Sequence, residues 1–111
     1  MDSQTIIGQA GPLPISTTFE ALSDGPALIM LSGSVWTQQA DSLIGVELSI
    51  DETPLAAAKI FANSASTHMA VVPILIPYTF TLGRQHEIFL GAATTNTVSD
   101  QNDFFQVTIL Y

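Results

Sequence analysis

Turn residues interrupt this chain at intervals of about 8–12 residues, and the runs between them alternate apolar with polar. The last run shows the pattern most plainly. Across residues 104–111, Phe105, Val107, Ile109 and Tyr111 point one way, and Phe104, Gln106, Thr108 and Leu110 point the other. A strand that is apolar on one face and mixed on the other belongs in the middle of a sheet. As a free tail it would hold its apolar face in water.

The earlier runs extend the same reading. Residues 5–8 form a short first strand, which the prolines of Gly11-Pro12-Leu13-Pro14 break. A strand over 15–22 stops at Ser23-Asp24-Gly25-Pro26, a strong turn. Residues 27–37 are apolar on both sides. Leu28, Met30 and Trp36 share one face, and Ile29, Leu31 and Val35 the other, which predicts a central strand covered twice. Gly33 within it marks a bulge or a close backbone approach.

Residues 43–50 alternate most cleanly, with Ile44, Val46, Leu48 and Ile50 inward and Gly45, Glu47 and Ser49 outward. Residues 55–62 contain three consecutive alanines, which favour a helix by propensity. That run is short and follows the turn Asp51-Glu52-Thr53-Pro54, so it is read as a strand. Pro73 breaks a strand over 69–76 and predicts an edge position or a bulge. Pro77 leads into another at 78–82. With 86–92 the count reaches about eight strands, the spacing of an all-β sandwich or barrel. The 111 residues suit one domain, and no linker or internal repeat divides them.

Charged residues make up only 11% of the chain, against about 25% in ordinary domains. Ser, Thr, Gln, Asn and Ala must therefore cover the surface, and surfaces of that kind are often buried again in an oligomer. The net charge is −8, with Lys59 and Arg84 the only cationic side chains besides histidine. That excludes neutralising a run of phosphates, hence nucleic acid, and disfavours an anionic membrane surface. There is no cysteine, so disulfide and thiolate chemistry are absent. Met1-Asp2-Ser3-Gln4 lacks the basic start and apolar run of a secretion signal. The longest apolar stretch, 69–82, is interrupted by Pro73 and Pro77 and is too short for membrane insertion.

The order of features resembles the C1q/TNF-like jelly roll over roughly residues 15–111. The matching pieces are the hairpin Gly45-Val46-Glu47-Leu48-Ser49-Ile50-Asp51-Glu52-Thr53-Pro54, the turn and strand Leu82-Gly83-Arg84-Gln85-His86-Glu87-Ile88-Phe89-Leu90, and the closing run Asn102-Asp103-Phe104-Phe105-Gln106-Val107-Thr108-Ile109-Leu110-Tyr111. The chain is short for that family, has Ala27-Leu28-Ile29-Met30 where a dense aromatic run is expected, and has no collagen-like stalk. The resemblance implies a jelly-roll β-sandwich of about eight to ten short antiparallel strands that forms a homotrimer about a threefold axis.

Few constellations could carry chemistry. A metal-binding jelly-roll enzyme needs two or more histidines with a carboxylate at fixed spacing. Only His68 and His86 are present, and His86 and Glu87, being adjacent on a strand, point to opposite faces. Both histidines are read as surface or interface residues. No Gly-x-Ser-x-Gly elbow exists, so a serine nucleophile has no local support. Ser99-Asp100-Gln101-Asn102-Asp103 is the densest oxygen cluster. Asp100, Asn102 and Asp103 are candidate calcium ligands, although the central Gly and distant Glu of a calcium loop are missing and a polar turn is the plainer reading. Trp36, with Gln38 and Asp41 close by, is a candidate sugar-stacking platform set against a simpler role as a core anchor.

These readings point to a non-catalytic, trimeric binding module with a carbohydrate or cell-surface ligand, whose repeated sites would raise weak affinities. The alternative is a structural assembly protein of the capsid, coat or tail-decoration type.

Overall fold

The structure is a computed structural model that describes residues 2–111. Nine strands follow one another: β1 (Ser3–Ala10), β2 (Ile15–Glu20), β3 (Gly25–Val35), β4 (Ser42–Ile50), β5 (Thr53–Ala62), β6 (Met69–Ala70), β7 (Ile74–Phe80), β8 (Gln85–Ala92) and β9 (Phe104–Leu110). Among the described residues no helix is long and apolar enough to cross a membrane.

The pairing is nested. β4 pairs with β5, β3 with β7, β2 with β8 and β1 with β9, all antiparallel. A long antiparallel ribbon, closed at its tip by the β4–β5 turn, is thus wound on itself. Winding adds the pairs β3–β9 and β4–β8. The outcome is two stacked sheets, β1-β9-β3-β7 with the short β6 beside the end of β3, and β2-β8-β4-β5. That is the jelly-roll arrangement of eight principal strands. It places the C-terminal strand β9 between β1 and β3, as its alternation demands.

Both sheets fill the core from their inner faces. Ile7, Ile29, Leu31, Val35, Phe105, Val107 and Ile109 come from the first, and Ile44, Val46, Leu48, Ile50, Ile88 and Leu90 from the second. Gly33 is a close approach rather than a bulge. It stands opposite Phe105, and a Cβ there would lie 2.6 Å from the Phe105 ring.

Three sequence expectations need correction. β3 is central, but within one chain only one of its faces is covered. Leu28 and, across from Met30, Leu75 face outward and are 38% and 55% exposed. Pro77 does not divide two strands. It sits inside β7 opposite Leu28, tolerated because β7 pairs on one side only, with β3. His86 is neither a surface nor an interface residue: on the inner face of β8, it is buried. The alanine run does form β5, with Ala56, Ala57 and Ala58 opposite Leu48, Glu47 and Val46. Pairing with a central strand overrides helix propensity there.

The sheets differ in charge. No strand of the first contains Asp, Glu, Lys or Arg. The second carries Glu20, Glu47, Lys59 and Glu87.

Candidate functional site

The outer face of the second sheet holds a groove of about 450 Å³, lined by Leu13, Pro14, Glu47, Phe89 and Gly91 with the loop residues Thr97, Val98 and Ser99. Strand register explains its shape. Glu47 lies opposite Gly91 on one side and Ala57 on the other, so its side chain stands between two small neighbours. Ile15 lies opposite Leu90, which brings Pro14 alongside Gly91. Phe89 shares the outward face two residues earlier and is 41% exposed. Its ring rests against Gly91, where a Cβ would come within 2.8 Å of Phe89 Cε1. Gly91 is therefore the floor that lets an aromatic ring lie down beside the trough. The volume falls in the range of about 300–1,000 Å³ typical of ligand sites.

Hydrogen bonds fix the far wall. The Trp36 N–H donates to the Val98 carbonyl and the Val98 N–H to the Trp36 carbonyl, at 2.9 and 2.8 Å. Thr94 Oγ1 donates to the Leu43 carbonyl at 2.8 Å, so in the 2.8 Å pair of Thr94 and Thr97 hydroxyls it is Thr97 that donates. Thr97 Oγ1 in turn accepts the Gly45 N–H at 3.1 Å. Ser99 Oγ accepts the Leu13 N–H at 2.9 Å and keeps its own proton to donate. Glu47 is half-buried and is in none of the ion pairs among the described residues.

The residues singled out from sequence lie at the loop end of the sandwich. Trp36 directly follows β3, and its ring centroid is 5.7 Å from that of His68. Its indole Nε1 is buried without a partner. Gln38 lines a separate recess of about 180 Å³ with Thr37, Gln39, Thr95, Asn96 and Val98. Trp36 and Asp41 are not among its lining, and Asp41 sits on an exposed turn with φ 57°.

Asp100, Asn102 and Asp103 form the turn before β9, and the fold adds His68 to it. The buried Asp103 accepts the Ser34 hydroxyl at 2.8 Å and lies 2.7 Å from His68 Nδ1 through Oδ1, while Oδ2 accepts the Asp100 N–H at 2.9 Å. Asp100 Oδ1 accepts the Asn102 N–H at 2.8 Å. His68 Nε2 is 3.7 Å from Asp100 Oδ2. The hydrogen bond to Asp103, and then the two nearby carboxylates, raise the His68 pKa above its usual 6.5. His68, Asp100 and Asp103 offer one nitrogen and two oxygens within 4.8 Å of one another. Calcium prefers oxygen ligands throughout. A cation here would also have to displace hydrogen bonds that already occupy both Asp103 oxygens.

His86 has its own carboxylate. Nδ1 is 2.7 Å from Asp51 Oδ2, and Asp51 Oδ1 accepts the Glu87 N–H at 2.9 Å. The Glu87 N–H first, then His86, hold the Asp51 carboxyl below its usual 3.8. Phe19, Phe80 and Tyr78 surround the imidazole, and its Nε2 is buried without a partner. Neither histidine is hydrogen-bonded to a Ser or Thr hydroxyl among the described residues, so neither His–Asp pair is completed into a Ser-His-Asp triad.

No family model and no curated relative matches this chain. Solved structures do match its fold. The CBM36-1 domain of a multidomain xylanase, from the hindgut metagenome of Trinervitermes trinervoides, aligns with a TM-score of 0.54 at 13% identity, over 99% of this chain and 97% of that one. The C-terminal domain of EclA, a sugar-binding protein, aligns with a TM-score of 0.50 at 16% identity, over 97% and 76%. Dimeric latent PorU from Porphyromonas gingivalis aligns with a TM-score of 0.57 at 8% identity, over 97% of this chain, which spans only 13% of PorU. At such identities the likeness is one of fold. It defines an all-β sandwich, and two of these three neighbours are described as sugar- or carbohydrate-binding.

Proposed function

We propose that this chain is a non-catalytic carbohydrate-binding module that takes a glycan in the groove over Gly91. The observation that carries this reading is the exposed Phe89 ring seated against Gly91, beside a half-buried carboxylate in a trough of about 450 Å³. Sugar rings present an apolar C–H face and a rim of hydroxyls. An aromatic platform with polar groups at its edge matches both. Two of the similar folds belong to proteins described as sugar- or carbohydrate-binding, which supports the same class.

Affinity electrophoresis in gels containing neutral polysaccharides tests the reading. Wild type should be retarded by at least one glycan, and Phe89→Ala should lose about tenfold in affinity. A wild type that no glycan retards would overturn it. Trp36→Ala in the same gels, with and without calcium, tests the loop end with Gln38, Asp41 and the Asp100–Asn102–Asp103 turn as a second sugar or calcium site.

A second reading, a homotrimeric assembly protein, is favoured by one feature, the charge-free first sheet with outward Leu28 and Leu75. In a chain of net charge −8 that face is where copies meet with least repulsion. Light scattering across dilution tests it, and a persistent monomer would remove it.

A further inference from the structure

We infer that the groove selects uncharged glycans, using Glu47 as an acceptor for two adjacent sugar hydroxyls. This rests on the carbohydrate-binding reading and narrows it. Glu47 is the only ionisable side chain lining the groove. An ionised carboxylate only accepts hydrogen bonds, and its two oxygens match two neighbouring O–H groups. No Lys or Arg lines the groove to meet an acidic sugar. The cation nearest in register, Lys59, stands opposite Gly45 and makes no ion pair with Glu47. Glu20 on β2 and Glu87 on β8, the strand of Phe89 and Gly91, are exposed on the same sheet, and the whole chain carries −8. Lys59 shares the outer face as a diagonal neighbour of Glu47 but is not part of the lining, so a uronate or sulfate entering here meets the like charge of Glu47 before any cation.

The remaining polar function complements this. The free proton of Ser99 donates to a sugar oxygen from the loop wall, while Phe89 covers the apolar face of a ring. A sugar that lacks one of the paired hydroxyls leaves a half-buried carboxylate unsatisfied, a stronger basis for rejection than a change in apolar contact.

The test uses the full chain, calorimetry, a panel of neutral polysaccharides, and polygalacturonate as the anionic probe, at low and high salt. Wild type should bind a neutral glycan at least about tenfold more tightly than polygalacturonate, with the gap narrowing as salt rises. Glu47→Gln keeps the size of the side chain but exchanges one acceptor for a donor. It should weaken neutral-glycan binding about tenfold and shrink the discrimination. Equal binding of polygalacturonate by wild type overturns the inference. So does neutral-glycan binding that depends on Phe89 but is indifferent to Glu47, which leaves the carbohydrate reading standing. If no glycan binds wild type at all, both fall.

Discussion

The two sheets of this sandwich are alike inside and unlike outside. Their inner faces supply the same kind of side chain to one core, fully buried Ile, Leu and Val with Phe105 added from the first sheet. Both outer faces expose large apolar side chains, Leu28, Leu75 and Phe104 on the first and Leu43, Phe61 and Phe89 on the second, but they differ in charge. The first has no charged residue in any strand. The second has all the strand charges and the groove. The difference shows where a small β-sandwich has freedom. Inward positions are held by packing. Outward positions answer only to solvent, ligands and other chains, so one face can become an interaction surface without disturbing the other.

Core truncations should break the inner likeness if it is false. Phe105→Ala should cost about 3–5 kcal/mol and Leu48→Ala about 2–5 kcal/mol in urea unfolding. A clearly smaller loss on one side would mean that the sheets do not share the core evenly. Next in size is Asp51→Ala, which leaves buried His86 with no partner at either ring nitrogen. A loss of about 1–3 kcal/mol is expected. The Asp51 carboxyl is held low in the folded state. Its contribution is therefore present above pH 3.8 and is lost as pH falls through the folded-state value. Asp51→Asn should flatten that acid limb in melts recorded against pH.

Outer-face changes should move stability far less. Leu28→Asp with Leu75→Glu should shift unfolding by no more than about 0.5 kcal/mol each. Light scattering should show any oligomer reduced to monomers. Unchanged assembly would place the contact elsewhere. The smallest effect belongs to His68. Its pKa is raised when folded, so its contribution is present below pH 6.5 and is lost as pH rises through the folded value. His68→Asn should slightly narrow the difference in melting temperature between acidic and alkaline buffer, and a widened difference would contradict the His68–Asp103 contact.

Much of the architecture was legible because a period of two needs only neighbours in sequence. The alternation in β4 and β9 placed both strands with the correct faces inward. Pro77 misled because the rule against proline in strands does not hold at a sheet edge. The groove was hidden. Leu13, Glu47, Phe89 and Ser99 come from four segments, and only the register of β2, β8 and β4 brings them together. A signal was present in Phe89, outward on its strand, with Gly91 two residues on to receive it. The His68–Asp103 contact spans 35 residues and had no local mark at all.

Pro77 has a consequence at the molecular rim. Besides the two-residue β6, the two sheets expose four outermost strands, β1, β7, β2 and β5, each a template on which another chain could extend a ladder. Each is blunted differently. β7 contains an imino residue with no N–H, β1 breaks register between Thr5 and Ile7, β5 carries Lys59 beyond the shift at Leu48 and Ser49, and β2 has six residues and ends on Glu20. The net charge of −8 repels copies at long range, and these local features block the strand edges at close range. The blunted rim disfavours lateral strand addition and leaves the flat outer faces as the surfaces open to another molecule.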